Sequence, residues 1–285
     1  MSVQKFDDSI INSEAKESAK SLYDSYCLTQ EQLANLPAKF KKDFETVRFN
    51  MFKEIHHQKT SNPLFRKLNN TNDALVIYWL SSIKKIASLF ISLNDIPKFN
   101  GITKEELKEI ANLNYNVDSL KELERILALK GIIFVIEPSL PSLKTDGAVY
   151  KLSSGNPVIA LSLRHKRLDN FWFTLMHELS HIFLHYDKFD SYIIDDIEDI
   201  ETHKTELIEL EANKLANDLL IPRNIWRTCL ARRDLKSESI IAFSKIHNIH
   251  PSIIAGRICL DNKECYKKFS KILNEIDTRE ILIHE

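Results

Sequence analysis

The residues best suited to chemistry lie in one short run, "FTLMHELSHIFLHY", residues 173–186. Within it His177, Glu178 and His181 spell H-E-x-x-H. Four residues of α-helix turn through about 400° and rise about 6 Å, so the two imidazoles share one face. Both rings can then reach a single tetrahedral ion, and Zn²⁺ suits such donors. Glu178, one step round the helix, projects beside the ion and can serve as general base to an activated water. Three ionisable groups among Phe173, Leu175, Met176, Leu179, Ile182 and Phe183 are costly to bury without a partner such as a metal. His185, one turn past His181, stands at the rim of the same face. There it can orient a ligand, donate to an oxyanion, or simply pack at the helix end.

A zinc hydrolase needs a third protein ligand and an open fourth position. Asp187 follows His181 by six residues, but that arrangement needs a glycine at 184 to turn the chain, and Leu184 stands there. In "TELIELEANKLANDLL", Leu207, Ile208 and Leu215 mark an apolar stripe that includes Glu211, a carboxylate in need of a counter-charge. Glu206 and Glu209 fall off that stripe and read as solvated. Helix phase therefore favours Glu211, with Asp187, Glu209 and Glu206 as alternatives. Thr174 and Asn213 are candidate supporting groups, and Tyr150 and Tyr186 candidate oxyanion donors. The adjacent His56 and His57 point to different helix faces and are expected to be exposed.

The elements that must position these groups are mostly helices. Five glycines in 285 residues leave no Gly-rich phosphate loop, and neither G-x-x-x-x-G-K nor G-x-G-x-x-G occurs. The composition, 44% hydrophobic and 28% charged, can bury a core. A net charge of −1 gives no general attraction to nucleic acid or anionic membrane. Cys27, Cys229, Cys259 and Cys265 form no C-x-x-C pair and read as reduced thiols. With a polar, acidic N-terminus, they make a cytoplasmic location the expectation. "ALVIYWLSSIKKIASLFISL" is interrupted by Lys84 and Lys85 and is expected to be an amphipathic or core helix, not a membrane span.

Residues 1–97 read as an all-helical region for partner recognition or regulation. Phe40, Phe44, Val47, Met51 and Ile55 share a face, and Thr29-x-x-Gln32 resembles a capping box. Thr103-x-x-Glu106 and Ser119-x-x-Glu122 are expected to cap two further helices, the second ending at Gly131. "IIFVI" is a buried strand, and "AVYKL" and "PVIALS" flank "SSGN" as a hairpin. Asp169 or Asn170 should cap the H-E-x-x-H helix. An acidic stretch at 187–201 is expected to be a solvated linker or a lid. The strand near 157–162 is a candidate for pairing with an extended substrate.

"FWFTLMHELSHIFLH", followed some thirty residues later by "ELEANKLANDLLIP", resembles the ImmA/IrrE metallo-endopeptidases, whose paired helices read "FTLAHELGHLLLH" and "EANxFAxxLLMP". The resemblance covers about residues 102–225. It implies an α+β, mostly helical, zincin-like core with a small sheet at 98–225. It also implies one Zn²⁺ on His177, His181 and Glu211, with Glu178 as the catalytic base. Ser180, Leu215 and Ile221 are mild departures from the pattern. Residues 226–285 form a C-terminal helical segment, and "IIAFSKIHNIHPSIIAGRI" is similar to the helix-turn-helix-like piece of many members. The implied function is cleavage of a specific partner protein, a helix-turn-helix transcriptional repressor, in a stress, mobile-element or phage response. Two rival readings stand beside it. One is a partner-binding component of a toxin–antitoxin or immunity system with little turnover. The other is a DNA-binding regulator using residues 239–260, although no Arg-rich recognition helix is visible there.

Overall fold

The structure, a computed structural model, describes residues 19–41, 44–61, 71–188, 193–194 and 203–283. Most of the acidic stretch expected as linker or lid lies outside the described residues. The chain divides into two compact units, residues 1–78 and 79–285.

The first unit holds α1 (Ala19–Asn35), a 3-10 turn at Ala38–Phe40, α2 (Phe44–Ser61) and the start of α3 (Thr71–Leu93). Leu33, Leu36, Met51, Ile55, Leu75 and Ile77 are buried here. The expected stripe on α2 holds only at its lower end. Phe44 is exposed, and Phe40 precedes the helix and tilts against Tyr78. Thr29 caps nothing: it lies inside α1, where its hydroxyl donates to the Ser25 carbonyl at 2.7 Å. A hydroxyl so paired one turn back lets the helix run straight through the T-x-x-Q signal. His56 is buried, not exposed, with Nδ1 3.0 Å from the Ser25 hydroxyl.

α3 has the length and hydropathy of a membrane span over Ala74–Leu93. Its faces differ, however: Trp79, Leu80, Ile83 and Ala87 are buried, while Ile86, Leu89 and Leu93 are exposed. That is the amphipathic pattern expected of it. Within the second unit, the Trp79 indole donates to the Glu137 carbonyl at 2.9 Å.

In the second unit, α4 (Lys104–Asn112) opens on the expected capping box: Thr103 Oγ1 accepts from the Glu106 amide, and the Glu106 carboxylate accepts from the Thr103 amide. Ser119 does not cap its helix. It donates to the Leu113 and Asn116 carbonyls within a 3-10 run, Val117–Glu122, that Asn116 caps instead. α5 (Leu123–Ala128) follows and the chain turns at Gly131, φ +76°, as a left-handed stop requires.

Four strands then form one sheet: β1 (Ile133–Ile136), β2 (Gly147–Lys151), β3 (Pro157–Leu161) and β4 (Ile193–Ile194), in the order β1-β3-β2-β4. β2 and β3 are the expected hairpin, with Ala148 opposite Ala160. β1 runs parallel to β3, with Phe134 opposite Ile159. Every residue of β3 is buried, as a continuous apolar run on a central strand should be. Both edges of β3 are thus paired, and it cannot add a substrate strand; that expectation fails because the parallel β1 was not visible in a hairpin pattern.

α6 (Leu168–His185) lies on β2 and β3, and α7 (His203–Leu220) packs along α6. α6 starts one residue before the expected caps. Arg167 holds the N-cap position, and Asp169 takes a two-pronged pair from its guanidinium at 3.0 Å. α8 (Arg223–Thr228), α9 (Ala231–Asp234), α10 (Ser237–His247) and α11 (Pro251–Asp261) complete the body, with short helices beyond. Trp226, Ile240, Phe243, Ile254, Ile258 and Phe269 share one core with Phe134, Ile159, Trp172 and Leu175. The expected divisions at 97 and 225 are therefore not where the compact units part. α10, a left-handed Asn248 and α11 do make a helix-turn-helix shape. But Ser252–Gly256, Ile258 and Cys259 are buried, and α11 packs against α6, so α11 does not stand free as a recognition helix.

The capping box yields a pH prediction. Lys130 and the Thr103 amide and hydroxyl hold the Glu106 carboxyl at about 2, below its usual value. A depressed carboxyl stabilises above its unfolded pKa and loses that contribution as pH falls. Because the side chain is a third exposed, solvent screening reduces the effect. Glu106→Gln should cost about 1 kcal/mol at pH 7, and the cost should vanish as pH drops from 5 to 2. Urea unfolding of both proteins across that range checks it; a cost independent of pH contradicts it.

Candidate metal centre

α6 is a core helix with one polar line. Leu168, Phe171, Trp172, Leu175, Met176, Leu179 and Ile182 fill the core. His177, Glu178 and His181 are nonetheless also buried, at 2%, 1% and 0% exposure. The Ser180 hydroxyl donates to the Met176 carbonyl at 2.6 Å, so this departure from the family pattern is satisfied within the helix. The two imidazoles stand nearly perpendicular, and their Nε2 atoms lie 2.9 Å apart.

Glu209 on α7 completes the group. One carboxylate oxygen lies 3.1 Å from His177 Nε2 and the other 3.4 Å from His181 Nε2. Tetrahedral zinc with bonds of about 2.0–2.1 Å spaces its donors about 3.3 Å apart. Two imidazole nitrogens and a carboxylate at such spacing fit a divalent ion by donor chemistry and by convergence. Burial raises the Glu209 carboxyl, but the adjoining His177 and His181 side chains outweigh it and hold the group at about 2. Burial lowers the His181 pKa, against the pull of Glu209. The Glu209 carboxylate is therefore ionised, as a metal ligand must be.

The expected third ligand, Glu211, is elsewhere. Its side chain is 60% exposed, and Oε2 meets His185 Nε2 at 3.0 Å. The stripe of Leu207, Ile208 and Leu215 misleads because Leu207 is exposed, at 59%, while the buried seam is Ala212, Ala216, Leu219 and Leu220. Glu209 precedes Ala212 by three residues and Ala216 by seven, which puts it on that seam. Small alanines let α7 approach α6 closely enough for a glutamate to bridge. The signal was present as the alanine spacing, but the larger leucines outweighed it.

His185 is buried and lies behind His181, with the two Nδ1 atoms 3.4 Å apart. Both of its ring nitrogens are thus engaged, which suits orienting a ligand and not an oxyanion donor. The Tyr186 hydroxyl donates to the Gly155 carbonyl in the β2–β3 turn. Tyr150 is buried within β2. Asp187 is exposed in a 3-10 turn and is not among the converging donors. Asn213 is half-buried, its carbonyl accepting from Asn217.

One residue carried no sequence signal. Gly147 opens β2 directly against Glu178. A methyl group there would overlap Glu178 Oε1 and stand 2.8 Å from Thr174 Cγ2. Thr174 and Gly147 thereby wall the carboxylate on its sheet side.

Glu209→Gln should strip the protein of stoichiometric metal, whereas Glu211→Gln should keep it; elemental analysis after desalting decides, and the reverse pattern contradicts the geometry. Gly147→Ala should retain metal yet lower turnover at least about ten-fold, since displacing a proton-transfer group is costly. Unaltered turnover would show that Glu178 has room to spare.

The IrrE N-terminal-like domain of the peptidase M78 family matches residues 131–248, a span that contains the whole sheet, both site helices and all three converging donors. No curated protein matches the chain. Residues 131–248, with the H-E-x-x-H helix facing a glutamate helix, are thus an IrrE N-terminal-like domain, which supports the resemblance to the ImmA/IrrE metallopeptidases.

Proposed function

We propose that the chain is a zinc-dependent endopeptidase that cuts a specific partner protein. The observation that carries this reading is the convergence of His177 Nε2, His181 Nε2 and the Glu209 carboxylate beside a buried Glu178. His177, His181 and Glu209 would hold the ion, leaving a position open to water or substrate. A divalent ion held there supplies Lewis acidity, which acidifies water and polarises a carbonyl.

The remaining work falls to the chain's own groups. Glu178 follows His177 directly, so its carboxylate lies beside the donors and not among them. It takes a proton from the attacking water and returns it to the departing amine nitrogen. Its burial keeps bulk water from competing for that proton. Gly147 and Thr174 hold the carboxylate in place.

The family supports a protein substrate. The finer proposal, from the resemblance of the helix pair, is a helix-turn-helix repressor cut in a stress or phage-defence switch in the cytoplasm. The buried α11 argues against the rival reading as a DNA-binding regulator, since phosphate contact needs an exposed basic helix.

Glu178→Gln should lower cleavage by about 10²–10⁴-fold while leaving metal content unchanged. New protein N-termini, compared in cells making either form, provide the measurement, and a chelator should abolish them in the wild type. Equal cleavage by both forms would falsify the endopeptidase reading.

A further inference from the structure

Resting on that site reading, we infer that Glu211 and His185 are positioning residues: they form a hydrogen-bond relay that fixes His181 in the tautomer whose Nε2 lone pair faces the metal position. Three links make the chain. The Glu211 Oε2 lies 3.0 Å from His185 Nε2, His185 Nδ1 lies 3.4 Å from His181 Nδ1, and His181 Nε2 faces His177 and Glu209.

The proton positions follow in order. An ionised carboxylate only accepts, so His185 Nε2 carries the hydrogen. A neutral imidazole carries one N–H and one acceptor nitrogen. His185 Nδ1 is therefore an acceptor. His181 must donate to it from Nδ1, and its Nε2 is left with the lone pair a metal needs. Glu211 starts this order from the solvent side, since its own side chain is largely exposed. A buried carboxylate in its place would itself need a counter-charge.

The other histidine has no such support. His177 Nδ1 is buried and has no hydrogen-bond partner among the described residues. The two donors on α6 are thus held unequally, and the relay singles out His181.

The test uses Glu211→Leu, an exposed position whose replacement leaves the core intact, beside Glu211→Gln, which keeps an acceptor oxygen. Zinc affinity is read by competition with a chromophoric chelator. Separately, ring-nitrogen NMR of the metal-free protein reads the His181 tautomer. E211L should weaken zinc binding by about 10–100-fold, and E211Q by clearly less. Metal-free wild type should show His181 protonated at Nδ1, a preference E211L loses. Wild-type affinity in E211L, or a wild-type His181 protonated at Nε2, overturns the relay. Failure of the site reading looks different: wild type itself takes up no stoichiometric zinc, and the ring signals alone then decide the relay.

Discussion

Burying imidazoles and carboxylates on facing helices incurs a desolvation cost that only mutual pairing or a shared cation offsets. Here two ring nitrogens lie 2.9 Å apart, and an oxygen of one carboxylate is within 3.4 Å of each. Two lone pairs at that separation repel unless a proton or a cation lies between them. The carboxylate draws positive charge to the same point. The remaining architecture keeps these three groups together, because each alone would favour solvent.

That requirement explains the unusual composition of α6. Its apolar positions bind it to the sheet and the C-terminal helices, so its polar line has no freedom to rotate outward. At the N-terminal end, Gly256 of α11 meets Asp169 so closely that a methyl group would stand 2.9 Å from the Asp169 Cβ. Asp169 in turn pairs with Arg167, which answers the burial that raises its pKa. Near the middle, Gly147 removes a side chain from β2 where Glu178 needs the space. Two glycines among five therefore serve the approach of one helix to its neighbours, not turns.

Legibility from sequence followed the range of the physics. H-E-x-x-H was readable because helical spacing fixes the relation of His177, Glu178 and His181 within one turn. The Thr103–Glu106 box, the Gly131 stop and the β2–β3 hairpin were readable for the same local reason. Ser119, Thr29 and the α6 cap failed where a nearby carbonyl or a guanidinium competed for the side chain. Glu209 against Glu211 was decided across helices. Positions two apart differ by about 200° on a helix, so only one could face α6, and the choice depended on which residues were truly buried. Leucines suggested one face; the alanines that permit close packing occupied the other. The parallel pairing of β1, likewise, depends on a strand some twenty residues away and leaves no mark in a hairpin.

The helix-turn-helix-like segment shows how a local likeness can serve a different end. DNA reading would need basic side chains displayed from α11. Its single arginine, Arg257, instead turns inward: Nη1 donates to the Asn217 and Ile221 carbonyls at 3.0 and 2.7 Å, while the guanidinium stacks over the Trp226 ring. Those carbonyls end α7, where the helix dipole and unpaired acceptors favour a cation. Arg257 thus secures the C-terminal end of the helix whose N-terminal half presents Glu209. On its other face α11 packs against α6, which presents the histidines. One helix therefore holds both halves of the site in register, and the conformation that resembles a DNA-binding element is better understood as the clamp across the two helices that carry the donors.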